Sequence, residues 1–221
     1  MPKKSVLIFD LDGTLIDSVP DLSAALNLAL ASLGLPNITE ETVRCLIGKG
    51  AYQLCQDALT TLQEPLEKTD ALHEAFLSHY AHHSAVHSRA YAGVVSGLND
   101  LRQSGYTLAL ATNKPERFIL EILNTFNLGE FSVVVGGDSL PKKKPDPLPL
   151  LHICQTLGVA TEAAVMIGDS KHDILAGKNA GITTLALSYG YNHGEDIKDS
   201  EPDAVFDEFS ALVACLLTQA D

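Results

Sequence analysis

Asp10 and Asp12 stand two residues apart in the string Asp10-Leu11-Asp12-Gly13-Thr14, directly after the apolar run Val6 to Phe9. Carboxylates at that spacing repel each other and gain from a cation nearby, and such a pair can supply a nucleophile and a proton carrier. An Asp-x-Asp-Gly string taken alone reads equally well as a turn, where Asp and Gly are common. Three more segments share its situation. Thr112-Asn113-Lys114-Pro115 follows Leu110-Ala111; Gly136-Gly137-Asp138 and then Lys142-Lys143-Lys144-Pro145-Asp146-Pro147 follow Val133 to Val135; Gly168-Asp169-Ser170-Lys171-His172-Asp173 follows Met166-Ile167. A hydroxyl and amides at a helix N-terminus suit phosphate. Singly, a Thr is often a cap, a Lys run a solvated face and a Gly-Asp pair a turn. Together, four chemically capable segments just past four apolar runs are specific.

Those runs must be strands for the segments to meet. Ser5 to Phe9, Thr107 to Ala111, Val133 to Val135, Ala164 to Ile167 and Thr183 to Leu187 are short and mainly apolar throughout, as in a parallel sheet covered on both faces. Pro115 to Phe126, Pro147 to Leu157 and Lys171 to Ala180 read as helices, two with Pro at the first turn and two with Gly158 or Gly181 just past the end. This alternation predicts a doubly wound, Rossmann-like α/β core, whose ligands bind beyond the carboxyl ends of the strands. The rhythm breaks between Phe9 and Thr107. Leu22, Ala25, Leu26, Ala29, Leu30 and Leu33 form a helical stripe that stops at Gly34-Leu35-Pro36, Thr39-Glu40-Glu41 opens a second helix, and amphipathic stretches cover 51–62 and 66–87. An α-helical insertion over 16–92 is therefore expected, with 1–15 and 93–221 forming the core.

The 221 residues carry 46% hydrophobic and 19% charged residues, a globular mix with room for such a core and insertion. The net charge of −13 repels polyanions, which makes nucleic acid and anionic membrane surfaces poor partners. That charge is uneven: residues 16–92 and 195–221 hold −12 of it, so the motif-bearing remainder is nearly neutral. Cys45, Cys55, Cys154 and Cys215 form no Cys-x-x-Cys pair, the run Val6 to Phe9 is too short for a signal peptide, and no stretch approaches the roughly 18 apolar residues of a membrane span. A cytoplasmic protein with reduced, mostly buried cysteines is expected, as a monomer or homodimer.

At these motifs the chain resembles the haloacid dehalogenase superfamily of phosphatases over essentially its whole length, through Asp10 to Thr14, Thr112, Lys144-Pro145, and Asp169 with Asp173. Within that superfamily, Leu15 to Asp21, Gly48-Lys49-Gly50, Gly136 to Leu150 and Ser188 to Asn192 are similar to bacterial phosphoglycolate phosphatases. One departure is Lys49, where the family usually carries an uncharged polar residue between the two glycines. The resemblance implies a helical cap over an α/β core, Mg²⁺, and hydrolysis of a small phosphorylated acid, 2-phosphoglycolate first. It implies metal ligation by the Asp10 carboxylate, the Asp12 backbone carbonyl and the Asp169 carboxylate, with Asp173 orienting waters or bracing Lys144.

The chemistry also follows from charge. A phosphate monoester is a dianion, so a carboxylate reaches phosphorus only where positive charge offsets the repulsion. Asp10 is the candidate nucleophile, forming an aspartyl-phosphate; Asp12 protonates the leaving alkoxide and later takes a proton from water. Asp10, Asp12, Asp169 and Asp173 bring four negative charges to one dianion, which a hard divalent cation resolves, and Mg²⁺ fits. Lys144 is expected to span nucleophile and phosphate, with Lys142 and Lys143 solvated. Thr112 and the Asn113 amide are expected to hold phosphate oxygens, while Thr14 supports the turn. A glycolate leaving group needs a cationic partner, for which Lys49 between Gly48 and Gly50, or Arg44, is the candidate.

Five histidines fall between His73 and His87, with His79, His83 and His87 at i, i+4, i+8. Such spacing can bind Zn²⁺ or Ni²⁺, but no Cys or Asp accompanies it, so an exposed face is expected. His172 is expected to point outward, and His193 lies in a Gly-rich loop. Alternatives within the fold are a sugar phosphomutase of the β-phosphoglucomutase type, a pyrophosphatase and a broader sugar-phosphate phosphatase. Outside catalysis, a phosphate-binding protein on the same scaffold is the alternative.

Overall fold

A computed structural model describes residues 4–218. Six strands, β1 (Val6–Phe9), β4 (Thr107–Ala111), β5 (Val133–Val135), β6 (Ala164–Gly168), β7 (Thr183–Leu187) and β8 (Ala204–Phe206), form one sheet in the order β5-β4-β1-β6-β7-β8. Every pairing is parallel. The chain starts at a central strand and winds outward both ways, so the carboxyl end of β1 lies where the winding direction switches, the place where open α/β sheets bind ligands.

Both faces of the sheet are covered, as the continuous apolar runs require. Leu7 and Phe9 of β1 join Leu108, Leu110, Val165 and Ile167 in a core shared with α5 (Val94–Gln103) and α9 (Phe209–Thr218). Val6 and Ile8 join Ala109 and Met166 on the opposite face, under α7 (Leu148–Leu157) and α8 (Lys171–Ala180). The single strand pleat thus sorts one apolar run into two layers. β8 and α9, which the apolar runs do not announce, complete the sheet's far edge and cover α5.

Between β1 and β4 lie α1 (Val19–Ser32), α2 (Glu40–Leu46), α3 (Ala51–Thr61) and α4 (Thr69–Ala81), packed on one another. The chain passes into and out of this group through two antiparallel strands, β2 (Ile16–Asp17) and β3 (Arg89–Ala90). The α1 stripe is buried from Leu22 to Leu30, and Thr39 caps α2 by accepting a hydrogen bond from the Thr42 amide. Leu33 differs from expectation: it follows the last helical residue and is 36% exposed, because Gly34 turns the chain at a positive φ of 69°.

The helix read over 66–87 is shorter than expected. A single 3₁₀ turn (Leu66–Lys68) precedes α4, which stops at Ala81. Beyond it, the buried Asp21 carboxylate of α1 accepts hydrogen bonds from the backbone amides of Val86, His87 and Ser88 and from the Ser88 hydroxyl, at 2.5–2.9 Å. A buried carboxyl group that accepts from three amides outcompetes the helical ladder there. His83 and His87 therefore leave the helix, and the i, i+4, i+8 histidine row does not exist.

Candidate active site

The four segments meet at the carboxyl ends of β1, β4, β5 and β6. Asp10 ends β1, its amide bonded to the Ile167 carbonyl at 2.9 Å, and one carboxylate oxygen lies 2.8 Å from Nζ of Lys144. Lys144 is itself buried and also lies 2.6 Å from Oδ1 of Asp173. The other Asp173 oxygen accepts from the amide and hydroxyl of Ser170, which closes a capping box at the start of α8. Asp173 thus fixes the helix and holds the lysine against Asp10.

Asp169 completes the acidic floor. Its carboxylate accepts from the Thr14 hydroxyl and the Tyr191 amide, each at 2.6 Å. It lies so close to the backbone at Gly13 and Gly190 that a Cβ at either would come within 2.2–2.3 Å of an Asp169 side-chain atom. Gly13 also holds a φ of 90°, which L side chains rarely adopt. The Asp-Gly-Thr string therefore both makes room for Asp169 and bonds to it, the support role expected of Thr14 being directed at this acid.

Asp10, Asp169 and Asp173 each offer an oxygen within 4.8 Å of the others, all three side chains being buried. One ammonium, that of Lys144, is paired with two of these three carboxylates, Asp10 and Asp173. Burial, then the neighbouring Asp173 and Asp12 charges, raise the Asp10 carboxyl to about 7 against the pull of Lys144. Burial, then Asp173 and Asp10, push Asp169 well above the ordinary carboxylate range despite its two hydrogen bonds. Lys144 is raised, the two acids outweighing the burial that would lower it. An all-oxygen donor set with an excess of buried negative charge fits a hard divalent cation.

Asp12 faces elsewhere. Its two carboxylate oxygens lie 2.8 and 2.9 Å from Nζ of Lys114, a buried residue two positions past Thr112. Lys114 also lies 4.9 Å from the ring centroid of Tyr80 on α4. Burial alone would lower its ammonium, but Asp12 and then Tyr80 raise it. Sequence reasoning missed this lysine, which it treated only as part of a helix start; the signal was its place beside a phosphate-type loop in an acidic site. It missed Ser170 and Tyr191 likewise.

Thr112 is buried, its hydroxyl accepting from the Lys114 amide at 3.2 Å. The Asn113 side-chain amide donates to the carbonyls of Gly48 at 2.9 Å and Lys144 at 3.0 Å, tying the helical group to the Lys144 loop, and its buried Oδ1 has no partner. A cavity lies over the floor. Asp10, Asp12, Thr112, Asn113 and Lys114 line it from the core, and Leu22, Ile47, Gly48, Leu54, Phe76 and Tyr80 from the helices.

The lysine and arginine candidates of the helical group do not reach it. Lys49 pairs with Asp57 at 2.9 Å, and Arg44 lies 3.5 Å from Asp17, 3.6 Å from Glu40 and over the Tyr191 ring. Each is paired with a partly exposed carboxylate, and neither lines the cavity. Lys142 pairs with Asp146, and Lys143 donates to the Lys49 carbonyl at 2.7 Å. His172 does not point outward. It packs edge-on against His193, whose Nδ1 lies 3.0 Å from the Cys45 carbonyl, and burial followed by His193 pushes His172 down to about 4. No His belongs to the candidate metal group among the described residues. Those residues also hold no disulfide, with Cys55 and Cys154 buried and Cys45 exposed, and no helix long and apolar enough to cross a membrane.

A parallel α/β sheet with an acid pair past its first strand, a lysine and two more acids past later ones, and an inserted helical group defines a recognisable class of hydrolase. Residues 7–187 match the family model described as haloacid dehalogenase-like hydrolase, and the chain belongs to that family. It is an enzyme of the phosphatase kind: curated relatives include the phosphoglycolate phosphatase of Psychrobacter arcticus, 49% identical over 97% of this chain and 96% of that protein. Phosphoglycolate phosphatase 1 of Pseudomonas aeruginosa is 44% identical over 95% of this chain and 79% of that one. Among solved structures, a predicted phosphoglycolate phosphatase from Haemophilus somnus superposes with a TM-score of 0.91 at 35% identity, covering 97% and 99% of the two chains.

Proposed function

We propose that this phosphatase is Mg²⁺-dependent, works through an aspartyl-phosphate on Asp10, and takes 2-phosphoglycolate as its substrate. The observation that carries the reading is the buried Asp10–Lys144–Asp173 arrangement, with Asp12 beside it at the mouth of a small cavity. The names of the relatives supply the substrate.

Asp10 attacks phosphorus while the bond to the leaving oxygen breaks, and Asp12 delivers a proton to that oxygen. Water then attacks the aspartyl-phosphate, Asp12 takes its proton, and phosphate departs with the Asp10 carboxylate restored. Lys144 lies against the attacking carboxylate and partly offsets its repulsion by the dianion. The Thr112 hydroxyl and the amides of its loop hold phosphoryl oxygens. Asp10, Asp169 and the Asp12 carbonyl would hold the Mg²⁺, with Asp173 bracing Lys144 beside them; when bound, the ion offsets the acids and polarises a phosphoryl oxygen. Residues 16–92 act as a cap that excludes water and selects the leaving group. Its contacts with the core include hydrogen bonds from Asn113 to the Gly48 carbonyl and from Lys143 to the Lys49 carbonyl, and the edge-on packing of Tyr80 against Phe118.

Phosphate release from a panel of small phosphoesters, with and without Mg²⁺, tests this reading. Mg²⁺-dependent release fastest from 2-phosphoglycolate is expected. Isomerisation of a sugar phosphate that requires a bisphosphate activator and releases no phosphate would point to a phosphomutase, and neither release nor isomerisation with any ester would leave only phosphate binding.

A further inference from the structure

Resting on the substrate reading above, we infer that Lys114 is a specificity-determining residue: it binds a carboxylate on the leaving group and thereby frees Asp12 to face the leaving oxygen. The cavity is otherwise without positive charge. Of the residues that line it, Lys114 alone carries a cation, while the upper wall is built from Leu22, Leu54, Phe76 and Phe118. A leaving-group carboxylate enclosed there without a cation would lose its water and gain nothing in return. The cap's own candidates are turned away, Lys49 to Asp57 and Arg44 to Asp17 and Glu40. Lys114 reaches up from the core to the Tyr80 ring of the cap, so its ammonium lies between the phosphate-binding floor and the cap wall, where a leaving group must lie.

The same ammonium holds both oxygens of Asp12. A group clamped in this way does not reach the leaving oxygen, and releasing it into a desolvated cavity needs another anion to take its place on the lysine. The substrate carboxylate is that anion. Once exchanged, Asp12 is free to turn to the leaving oxygen. It carries a proton from solvent to that oxygen as the phosphorus–oxygen bond breaks and the Asp10–phosphorus bond forms. The released hydroxy acid leaves Lys114, which returns to Asp12. Recognition of the leaving group and readiness of the acid are one event, so discrimination falls on kcat as well as KM.

The test compares 2-phosphoglycolate with 2-hydroxyethyl phosphate, which has the same length and no carboxylate, in the Mg²⁺-loaded wild type, Lys114→Met and Lys114→Arg. The wild type is expected to favour the acid by about 100-fold in kcat/KM, with about 10-fold of that in kcat. Lys114→Met should bring the two esters within about 3-fold, and Lys114→Arg, which keeps the charge, should retain about 10-fold or more. A folded Lys114→Met that keeps the full preference overturns the inference and leaves the substrate reading standing. A wild type whose preference lies in KM alone overturns the coupling to Asp12 without any variant, so a Met variant that failed to fold would not protect the idea. A wild type with no preference for the acid removes the substrate reading itself.

Discussion

The floor and the wall of the cavity handle charge in opposite ways. On the core side the charged side chains are buried, or in Asp12 nearly so, and each is pinned by another group: Lys144 between Asp10 and Asp173, Lys114 on both oxygens of Asp12, Asp169 under Thr14 and Tyr191. On the cap side the charged side chains are half-exposed and paired away from the cavity, and what faces inward is apolar. Buried ion pairs are costly to break and hold a geometry; exposed ones contribute little and permit movement. On the function proposed above, the core would carry the phosphoryl chemistry in a fixed array, and the cap would contribute shape and dryness.

Four experiments sharpen or break that contrast. The largest effect belongs to Asp10→Asn, which should cut phosphate release at least about 10³-fold while the protein keeps its circular dichroism spectrum. Retained turnover would remove Asp10 from the role of nucleophile. Next, Lys144→Met strips the cation from two buried acids and should destabilise the protein by about 3–5 kcal/mol in urea melts as well as abolish activity. A loss of activity with unchanged stability would show the floor to be less tightly coupled than its distances imply.

The third experiment uses pH. Asp10, raised to about 7, and Asp169, also raised, bind protons more tightly folded than unfolded, so without metal they reduce stability as pH rises from near 4 through about 7. Mg²⁺ should relieve that repulsion, giving a larger increase in Tm at pH 8 than at pH 5.5 in thermal melts. An equal or reversed increase would mean that the acids do not hold the ion. The smallest effect is predicted in the cap: Lys49→Ala should change kcat/KM less than about 2-fold and stability by at most about 1 kcal/mol, because it removes a partly exposed pair with Asp57. A KM raised about tenfold in that variant would show that the cap brings Lys49 to the substrate after all.

How much was legible in the sequence follows the same division. The bounds of β4, β5, β7 and α8 are those the apolar runs and the helix signals indicate, because each pattern is local and the fold keeps it. The expected helix over 66–87 ended early because Asp21, some 65 residues upstream, claims three amides, a contact that no local pattern carries. Arg44 and Lys49 were plausible ligands on charge alone, and only the positions of Asp17, Glu40 and Asp57 removed them from the cavity.

By itself, the order of residues determined which groups would lie past the strand ends, since strand length and the parallel sheet leave a loop residue little freedom of place. It determined the acidic floor and the lysine against Asp10 for that reason. The tertiary structure alone decided where the long side chains turn. Lys114, Lys49 and Arg44 each have several rotatable bonds and could reach many positions, and what selects one is a carboxylate brought within reach by the fold. For Lys114 that carboxylate is Asp12, 102 residues away in the chain and 2.8 Å away in space.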